Sequence, residues 1–470
     1  MRILALDLGT SSVRGLVLDA AARPLPDALA RRPAEIVIGD DGRATLDGPG
    51  YLAALVECLD ELAGAGHLHG VELVVASAQW HSVVPLGPGG EPLGPVLTWL
   101  DTRPTPPAGL TGPADPGDYH GRTGTWWHRF YWSVRLPWLR ERCGPGRIRF
   151  AGLVEYVFGV LLDEAVMSVS QASGTGLLDL RTLSWDPEAC ELAGVRHGEL
   201  PALAPAAWFG RLRAEYAGRW PELRNARWAP PSGDGAASNV GSGCYDSRRA
   251  AVTVGTSAAV RLVQTVPAGA ELPPLPDELW RYRVDHGHLV TGTAFSGGGN
   301  LYAWARREMR LPEGHELDRA LARVPPLGGI PADSRLGGDR PPGLAPAGSG
   351  VLSGLGFNTT AVDLLAGLMG ALCHQVVAGV AAIESTLDEP VQVVLGGGAV
   401  AASEWWRHSF SVALAPRAVH HVRNPEIGAV GAALVAIGRL DGASGLERIV
   451  RTDEDESPTA TRSARPQYRS

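Results

Sequence analysis

The chain has 470 residues, more than one hydrophobic core usually supports, so its length predicts two domains. Its composition, 45% hydrophobic and 20% charged, is that of a globular protein, and its net charge of −8 argues against nucleic acid or an anionic membrane as a partner. The sequence contains no lysine, which excludes a Walker-type phosphate loop, so phosphates must be bound by backbone, hydroxyls, arginine and metal.

The first predicted elements are a strand, a turn and a second strand between Met1 and about Asp19. The first strand ends at Asp7-Leu8, the turn reads Gly9-Thr10-Ser11-Ser12, and Arg14 lies in the second strand. Glycine followed by hydroxyl residues lets backbone N–H groups approach phosphate oxygens closely. The pattern indicates a phosphate-binding turn, in which Asp7 either places Mg²⁺ or caps the turn by hydrogen bonds.

A helix from Gly50 to Ala65 and a buried strand over Leu73-Val74-Val75-Ala76 follow. Polar groups beside aromatic side chains come next, in Gln79-Trp80-His81-Ser82 and in Thr98-Trp99-Leu100-Asp101-Thr102-Arg103. Such mixtures recognise sugars, because aromatic faces stack on the sugar and polar edges hold its hydroxyls. A further aromatic run, Trp126 to Trp132, leads into a helix through Leu139. Histidines and tryptophans also fill protein cores, and that alternative stays open on these residues alone.

The segment Arg227 to Gly233 combines Pro and Gly with little periodicity, which predicts the hinge between the domains. Directly after it, Asp234-Gly235 opens a short helix whose N-terminus favours anionic groups. A carboxylate there suits the proton acceptor that phosphorylation of a hydroxyl needs. It also suits a helix N-cap, the commoner use of aspartate in this context.

The second half repeats the phosphate-turn phrase: strand Ala251–Val254 runs into Gly255-Thr256-Ser257, and the next strand carries Arg261. Glycines 297–299 open a helix through Trp304, and the glycines 396–398, followed by an alanine, end another strand. An apolar helix covers Val362 to about Leu387. Two related halves, each with a phosphate turn, indicate that a polyphosphate is held from both sides of a cleft. The sequence therefore predicts a nucleotide-dependent phosphotransferase.

The cysteines are five in number, scattered, and without Cys-x-x-Cys spacing, which indicates a reducing compartment and argues against a zinc site. The apolar stretch 1–8 is too short for a signal peptide, and no apolar run approaches membrane-spanning length, so we expect a cytoplasmic protein. Residues 448–470 are polar, and we expect them to form a disordered tail.

In this order, the motifs resemble those of the FGGY carbohydrate kinases of the actin/hexokinase/Hsp70-type superfamily, and most of all the gluconokinase branch. The resemblance rests on both phosphate turns, the block around Trp80-His81, the Asp234-Gly235 block, the glycines from Gly396, and Thr123-Gly124-Thr125 with His128 and Arg135-Leu136-Pro137-Trp138-Leu139. It implies an α/β fold of two ribonuclease-H-like domains flanking a central cleft. Residues 1–230 would carry the sugar site and the first phosphate turn, and residues 231–447 the catalytic base and the ATP site.

The resemblance also implies roles for individual residues. Asp234 would be the catalytic base and ATP the donor, with Mg²⁺ placed by Asp7 directly or through water, and we expect these two carboxylates to face each other from opposite walls of the cleft. The residues implied as sugar contacts are Trp80, His81, Trp99, Asp101, His128 and Phe130. Those implied near ATP or its phosphates are Thr10, Ser11, Ser12, Arg14, Gly255, Thr256, Gly299, Gly397, Gly398 and Ala399.

The implied reaction moves the γ-phosphoryl of ATP to a terminal hydroxyl of a small sugar or sugar acid, with gluconate as the first choice. Bulky residues at Trp80, Trp126 and Trp127, where the gluconokinase pattern has others, keep a xylulose-type pentulose or polyol kinase as the alternative. An inactive sugar-binding homologue is the alternative from another class. A gluconate site needs a cation for the carboxylate, and Arg129 is the candidate. The oligomeric state stays open, a homodimer included.

Overall fold

The computed structural model describes residues 1–144, 146–340, 348–422 and 426–440. The predicted tail, residues 448–470, lies outside the described residues. The elements of the first half are the strands β1 (Arg2–Leu8), β2 (Ser12–Leu18), β3 (Pro24–Pro33), β4 (Val37–Ile38), β5 (Ala44–Leu46), β6 (Val71–Ala78), β7 (Val84–Leu86), β8 (Val96–Leu97), β9 (Arg149–Ala151), β10 (Val166–Met167), β11 (Leu178–Asp179), β12 (Ser184–Trp185), β13 (Ala202–Leu203), β14 (Arg227–Trp228) and β15 (Ser232–Gly233). Its helices are α1 (Gly48–Gly64), α2 (Pro116–Thr123), α3 (Trp132–Cys143), α4 (Leu153–Leu161), α5 (Val169–Ser173), α6 (Pro187–Leu192), α7 (Ala214–Arg219) and α8 (Asp234–Gly241), with 3₁₀ turns at His197–Glu199 and Pro221–Leu223.

The second half, from Arg249 onward, also consists of both strands and helices. Its strands are β16 (Arg249–Val254), β17 (Ala258–Thr265), β18 (Trp280–Arg283), β19 (His288–Phe295), β20 (Ala332–Asp333), β21 (Asp339–Arg340), β22 (Val351–Leu352), β23 (Gln392–Gly396) and β24 (Val419–His421). Its helices are α9 (Gly299–Glu308), α10 (His315–Leu321), α11 (Ala361–Glu384), α12 (Gly398–Ala402), α13 (Glu404–Leu414) and α14 (Ile427–Leu440).

The two halves are built around sheets of the same topology. In the first, the order is β14-β6-β1-β2-β3 with β15 also on β6; β1 pairs antiparallel with β2 and parallel with β6. In the second, the order is β18-β19-β17-β16-β23-β24; β16 pairs antiparallel with β17 and parallel with β23. Each first strand thus has an antiparallel hairpin on one side and parallel strands on the other. The repeat confirms the predicted α/β fold of two ribonuclease-H-like halves.

Helices cover both faces of the N-terminal sheet. Leu55 and Leu59 of α1 belong to one buried apolar cluster with β1, β2 and β6. The opposite face carries Ile3 and Val75 and is covered by α8 and α14, together with residues of β18 and β19 from the second half. The two halves therefore share an apolar interface, and α14 connects the end of the chain to the first sheet.

The helices α8 and α14 touch through their backbones. A Cβ atom added to Gly431 would lie 1.7 Å from the carbonyl oxygen of Ala237, and one added to Gly241 would lie 1.9 Å from that of Ile427. No side chain fits at either distance, so glycine at both positions is what lets the helices approach.

The segment predicted as the hinge is part of the N-terminal sheet. The segment contains β14 and β15, and both pair in parallel with β6 of the N-terminal sheet. Pro230-Pro231 separates these two short strands. Strands of two residues show no alternation that sequence analysis could detect, and the prolines between them favour a loop prediction.

The helix α11 is the core helix of the second half. By length and composition it is apolar enough to cross a membrane, but 61% of its most apolar window is buried. Leu365, Met369 and Val376 on it pack in the cluster that covers the C-terminal sheet. Its N-terminus is a capping box, in which Thr360 and Asp363 each accept from the other's backbone N–H.

Candidate active site

The carboxyl ends of β1, β6 and β15 form one edge of the N-terminal sheet. Asp7 pairs with Ser77, and Ser77 pairs with Ser232, so the three residues lie in one row. Asp234 follows Ser232 by two residues at the start of α8. Asp7 and Asp234 therefore rise from the same sheet edge, and the expectation that they face each other from opposite walls is wrong. The reason is that the supposed hinge is part of this sheet.

The Asp7 carboxylate is partly buried and ion-paired. The Arg14 guanidinium contacts its Oδ2 atom at 2.8 Å and contacts Oε2 of Glu426 at 3.0 Å. Burial raises the pKa of Asp7 to about 6, with Arg14 opposing the shift and the charge of Asp234 adding to it. The two carboxylates are thus close enough to interact electrostatically, and each makes a second negative charge at this edge costly.

The Asp234 side chain is exposed to solvent but enclosed by protein, as expected for a carboxylate on the floor of a cleft. Its Oδ1 accepts from the backbone N–H of Gly235 at 2.8 Å. Removal from bulk water raises its pKa, while Arg261 and the backbone N–H groups lower it. A solvent-accessible carboxylate with a raised pKa is suited to accept a proton from a bound hydroxyl.

Trp80 supports Asp234 from below. It is 5% exposed, and its indole N–H donates to the carbonyl oxygen of Ser170 at 2.9 Å. A Cβ atom on Gly233 would lie 1.9 Å from Cε2 of Trp80, and one on Gly235 would lie 2.5 Å from its Cζ3. The indole therefore packs directly beneath the turn that carries Asp234, and it offers no open face on which a sugar could stack.

His81 is held in a strained backbone conformation, with φ at +66°. Its Nδ1 lies 2.6 Å from the carbonyl oxygen of Gly174, and its ring lies 4.3 Å from that of Phe130. Burial lowers the pKa of His81 to about 3, so the ring is neutral at physiological pH. Nδ1–H is then the donor to Gly174, which leaves Nε2 as a hydrogen-bond acceptor.

His128 contacts the backbone of Phe130, and its Nδ1 atom has the opposite hydrogen-bonding role from Nδ1 of His81. Its Nδ1 accepts from the backbone N–H of Phe130 at 3.3 Å. Burial, together with Arg129 and Arg135, lowers the pKa of His128 to about 4. A neutral ring that accepts at Nδ1 carries its proton on Nε2, which makes His128 a donor, whereas His81 is an acceptor.

Asp101 does not offer its carboxylate to a substrate. Its side chain has 0% exposure and is ion-paired with Arg103 at 2.6 Å. Its Oδ2 also accepts from the backbone N–H of Ala44 at 3.0 Å. The predicted sugar contact is therefore replaced by a structural role, since every oxygen is used within the protein. Trp99, two residues earlier, is partly exposed.

Arg135 is a site residue to which the sequence analysis gave no role. Its buried guanidinium donates to backbone carbonyl oxygens of three separate segments. These acceptors are Arg129 at 2.9 Å, His81 at 2.9 Å, Thr98 at 2.9 Å, Trp99 at 3.5 Å and Asp101 at 3.3 Å. One side chain thus fixes the loops that carry the predicted sugar contacts. A charged residue among the apolar positions of α3 was the available signal.

Arg261 is a second residue with no predicted role. It extends from β17 toward the cleft, where a Cβ atom on Gly235 would lie 3.0 Å from its Nε. Its Nε and Nη1 atoms are buried and have no hydrogen-bond partner in the part of the chain that the structure describes. Burial lowers its pKa, and the nearby charge of Asp234 opposes that change. An arginine among the apolar residues at the start of β17 was the available sequence signal.

The first phosphate turn joins β1 to β2. Gly9 N–H donates to the carbonyl oxygen of Ser12 at 3.2 Å, and the Tyr51 hydroxyl donates to Gly9 at 2.8 Å. Thr10 is partly exposed and Ser11 fully exposed at its tip. The Ser12 hydroxyl is buried and has no hydrogen-bond partner among the described residues, whereas Arg14 is ion-paired with two carboxylates. The turn thus presents Thr10 and Ser11 to the solvent.

The second phosphate turn meets the two glycine-rich turns of the C-terminal half. Gly299 N–H donates to the carbonyl oxygen of Gly255 at 2.7 Å, and a Cβ atom on Gly299 would lie 3.4 Å from that of Ala399. Gly397 has φ at +105° and leaves no room for a Cβ atom beside Val254. Thr256 is exposed, and a Cβ atom on Gly398 would meet nothing within 4 Å. The structure therefore brings the predicted ATP residues of this half together.

Sequence comparison matches both halves to one family. Residues 2–241 match the FGGY family of carbohydrate kinases, N-terminal domain, and residues 250–438 match the C-terminal domain of that family. The chain belongs to the FGGY family of carbohydrate kinases. It is thus an ATP-dependent phosphotransferase that acts on a sugar hydroxyl. Where between the two matches the domain boundary falls stays a prediction.

Individual FGGY relatives act on different sugars. The chain is 25% identical to a gluconokinase of Bacillus subtilis over 407 residues, covering 83% of this chain and 79% of the relative. It is 26% identical to a glycerol kinase of Rhodospirillum centenum over 493 residues, covering 98% and 95%. The crystal structure of a ligand-bound xylulose kinase from Lactobacillus acidophilus superimposes with a TM-score of 0.83 at 21% identity, covering 96% and 91%. That structure shares the fold.

Proposed function

We propose that this FGGY kinase phosphorylates the terminal hydroxyl of gluconate, which gives 6-phosphogluconate. The observation that carries the proposal is the accessible Asp234 carboxylate on a turn that packs against Trp80, the residue before the neutral His81. In the reaction, Asp234 takes the proton of the hydroxyl as its oxygen bonds to the γ-phosphorus. The bond from that phosphorus to the β–γ bridging oxygen breaks, and ADP leaves.

The sugar would lie on the N-terminal side of the cleft, against the rings of His81, His128, Phe130 and Trp99; we call these four residues the aromatic group. His81 accepts and His128 donates, so the pair can hold two neighbouring hydroxyls in a fixed sense. Phe130, at 4.3 Å from His81, supplies an apolar face, and Trp99 is accessible near them. Neutral histidines at physiological pH also leave Asp234 as the base.

ATP would bind between the two phosphate turns. Thr10 and Ser11 of the first turn and Thr256 of the second are exposed and carry hydroxyls. The glycines around Gly299 and Gly397 would approach the nucleoside closely, because neither carries a side chain. Ser12 and Arg14 would stabilise the first turn and Asp7 behind these contacts.

The residues present fit Mg²⁺ bound together with the nucleotide. Within the described part of the chain, no cluster of three or more His, Cys, Asp or Glu side chains could hold a metal alone. Mg²⁺ is usually bound by one or two carboxylates together with substrate phosphates. Arg14 contacts Oδ2 of Asp7, which leaves Oδ1 for the ion or its water. The ion would neutralise charge between the phosphates.

The second candidate is a xylulose-type pentulose or polyol kinase. The partly exposed Phe130 and Trp99 would suit a neutral sugar equally well, and relatives of both kinds resemble the chain at similar identity. We propose a cytoplasmic location, which the free cysteines among the described residues support. A homodimer is consistent with this function.

An ADP-release assay with a panel of aldonates, pentuloses and polyols tests the proposal. Gluconate should give the highest kcat/KM, and Asp234→Asn should lower its turnover roughly 10²-fold or more. ATP affinity, measured by calorimetry, should be retained in Asp234→Asn. The exposed Asp40→Asn is the matched control and should have wild-type rates. Near-full turnover in Asp234→Asn would show that Asp234 is not the catalytic base. A higher kcat/KM for a pentulose than for gluconate would favour the second candidate function.

A further inference from the structure

Arg261 is a partly buried cation whose principal counter-charge, Asp234, makes no direct ion pair with it among the described residues. Its Nε and Nη1 atoms are shielded from solvent and donate to no acceptor among the described residues. No carboxylate in that part of the chain lies within ion-pair distance, 4.0 Å, of its guanidinium. Leaving such a group unpaired costs folding free energy, since a buried charge loses its hydration. A ligand that supplies an anion here would recover that cost.

The residues around Arg261 indicate that an anion bound to it would belong to the sugar substrate and not to ATP. Its guanidinium lies over Gly235 and is within electrostatic reach of Asp234 and Tyr282. The Tyr282 hydroxyl is already paired with that of Tyr131 at 2.9 Å. The cation therefore faces the floor of the cleft on the side of the aromatic group, where the sugar rather than the nucleotide would lie.

The other arginines near the pocket have partners. Arg135 donates to backbone carbonyls, and its site is closed. Arg129, the candidate from the sequence, is exposed, and its Nη1 donates to the carbonyl oxygen of Thr102 at 3.1 Å. Both have found neutral acceptors, whereas Arg261 keeps unused donors beside the base.

We propose that Arg261 binds the carboxylate of a sugar-acid substrate and so selects aldonates over neutral sugars. This inference rests on the proposed function and names the residue behind its substrate class. Asp7 and Asp234 make the sheet edge anionic, so an anionic substrate needs a cation to offset repulsion from them. A guanidinium can hold a carboxylate through two parallel hydrogen bonds, which fixes the far end of the chain while the terminal hydroxyl meets Asp234.

Binding measured without ATP tests the inference separately from catalysis. Calorimetry compares gluconate with glucitol, which has the same carbon chain with a hydroxymethyl group in place of the carboxylate. The wild type should prefer gluconate, and Arg261→Gln should weaken gluconate binding roughly 10²- to 10³-fold while weakening glucitol binding far less. Arg323→Gln, at an exposed position after α10, is the matched control and should keep the wild-type preference.

Each outcome bears on a different statement. Equal losses for gluconate and glucitol in Arg261→Gln, or a wild type that binds both equally, would overturn the role of Arg261. Should Arg261→Gln fail to fold by circular dichroism, Arg261→Lys keeps the charge without the bidentate geometry and should still reduce the preference for gluconate; an unchanged preference there would also overturn it. A wild type that selects gluconate but releases no ADP would contradict the proposed function alone.

Discussion

The Arg14 guanidinium lies 2.8 Å from the Asp7 carboxylate, so a residue of the second strand sets the charge of a residue in the first. Burial raises the pKa of Asp7 to about 6, and Arg14 limits the rise. Because the same arginine contacts Glu426 at 3.0 Å, this control depends on a residue near the other end of the chain.

The dependence of kcat/KM on pH should reflect the pKa of Asp7 and its ion pair with Arg14. Asp7 loses its charge as the pH falls through about 6, so kcat/KM should decrease on the acid side. Arg14→Gln removes the opposing charge, which should raise the pKa of Asp7 further and move the acid limb to higher pH. Arg31 lowers the same pKa more weakly, so Arg31→Gln should move the limb less. Identical limbs in the three proteins would separate Asp7 from the reaction.

A second prediction concerns Glu155, which is buried in α4 and forms no ion pair among the described residues; the backbone N–H groups of Gly152 and of Glu155 itself only partly oppose the effect of burial. Burial raises the pKa of Glu155 from 4.5 to about 8. The folded state therefore holds a proton that the unfolded state releases, and stability is highest below pH 4.5 and is lost as the pH rises toward 8.

Glu155→Gln should remove this loss. Its free energy of unfolding relative to the wild type should increase by up to about 1.4 kcal/mol per pH unit across that window. Urea titrations at several pH values measure the difference. Glu35→Gln, at an exposed position, should follow the wild type throughout. A Glu155→Gln curve parallel to that of the wild type would mean that Glu155 is charged in the folded protein.

The third prediction tests the packing beneath Asp234. An alanine Cβ at position 233 would lie 1.9 Å from Trp80, so Gly233→Ala should displace the indole and the turn above it. We expect a destabilisation of about 2 kcal/mol and a lower kcat. Gly64→Ala meets nothing within 4 Å and should be neutral or slightly stabilising.

Thermal melts and ADP release measure both variants. Trp80→Phe combined with Gly233→Ala should recover part of the lost stability, because the smaller ring frees space under the turn. Additive losses in the double variant would show that the two residues do not clash.

The fourth prediction concerns Arg135. Lysine has three donors at one point and cannot reach carbonyl oxygens in three segments, so Arg135→Lys should loosen the sugar-facing loops. We expect KM for the sugar to rise about 10-fold and the stability to fall by about 3 kcal/mol, with KM for ATP unchanged. Arg142→Lys on the same helix, where Nη1 contacts only the neighbouring turn, at the Trp138 carbonyl oxygen and Glu141, is the matched control. Equal changes in both KM values would indicate general unfolding instead.

The elements that sequence analysis predicted well are those fixed by neighbouring residues. The turns at Gly9 and Gly255 follow from an apolar strand that ends in glycine and hydroxyl residues, and such a pattern is local. The first strand, the helix α1 and the long helix α11 likewise carry their periodicity within one segment. These features predicted two related halves, whereas the ribonuclease-H-like fold was implied by the resemblance to the FGGY kinases.

The site residues depended on contacts between distant segments. Trp80 is buried because Ser170 and Gly233 meet it, and Asp101 is buried because Ala44 does. Neither contact leaves a trace in the residues beside them. Arg261 looked like the end of a phosphate motif, and only the fold shows that it reaches the turn carrying Asp234.

The contact between Gly241 and Gly431 has a mechanical consequence. Asp234 begins one of the two crossing helices, while Glu426, the partner of Arg14 and so of Asp7, immediately precedes the other. A movement of α8 relative to α14 would therefore change the distance between Asp234 and the Arg14–Asp7 pair. The contact between Gly241 and Gly431 therefore helps to set the distance between the Asp7 and Asp234 carboxylates, although neither glycine carries a side chain.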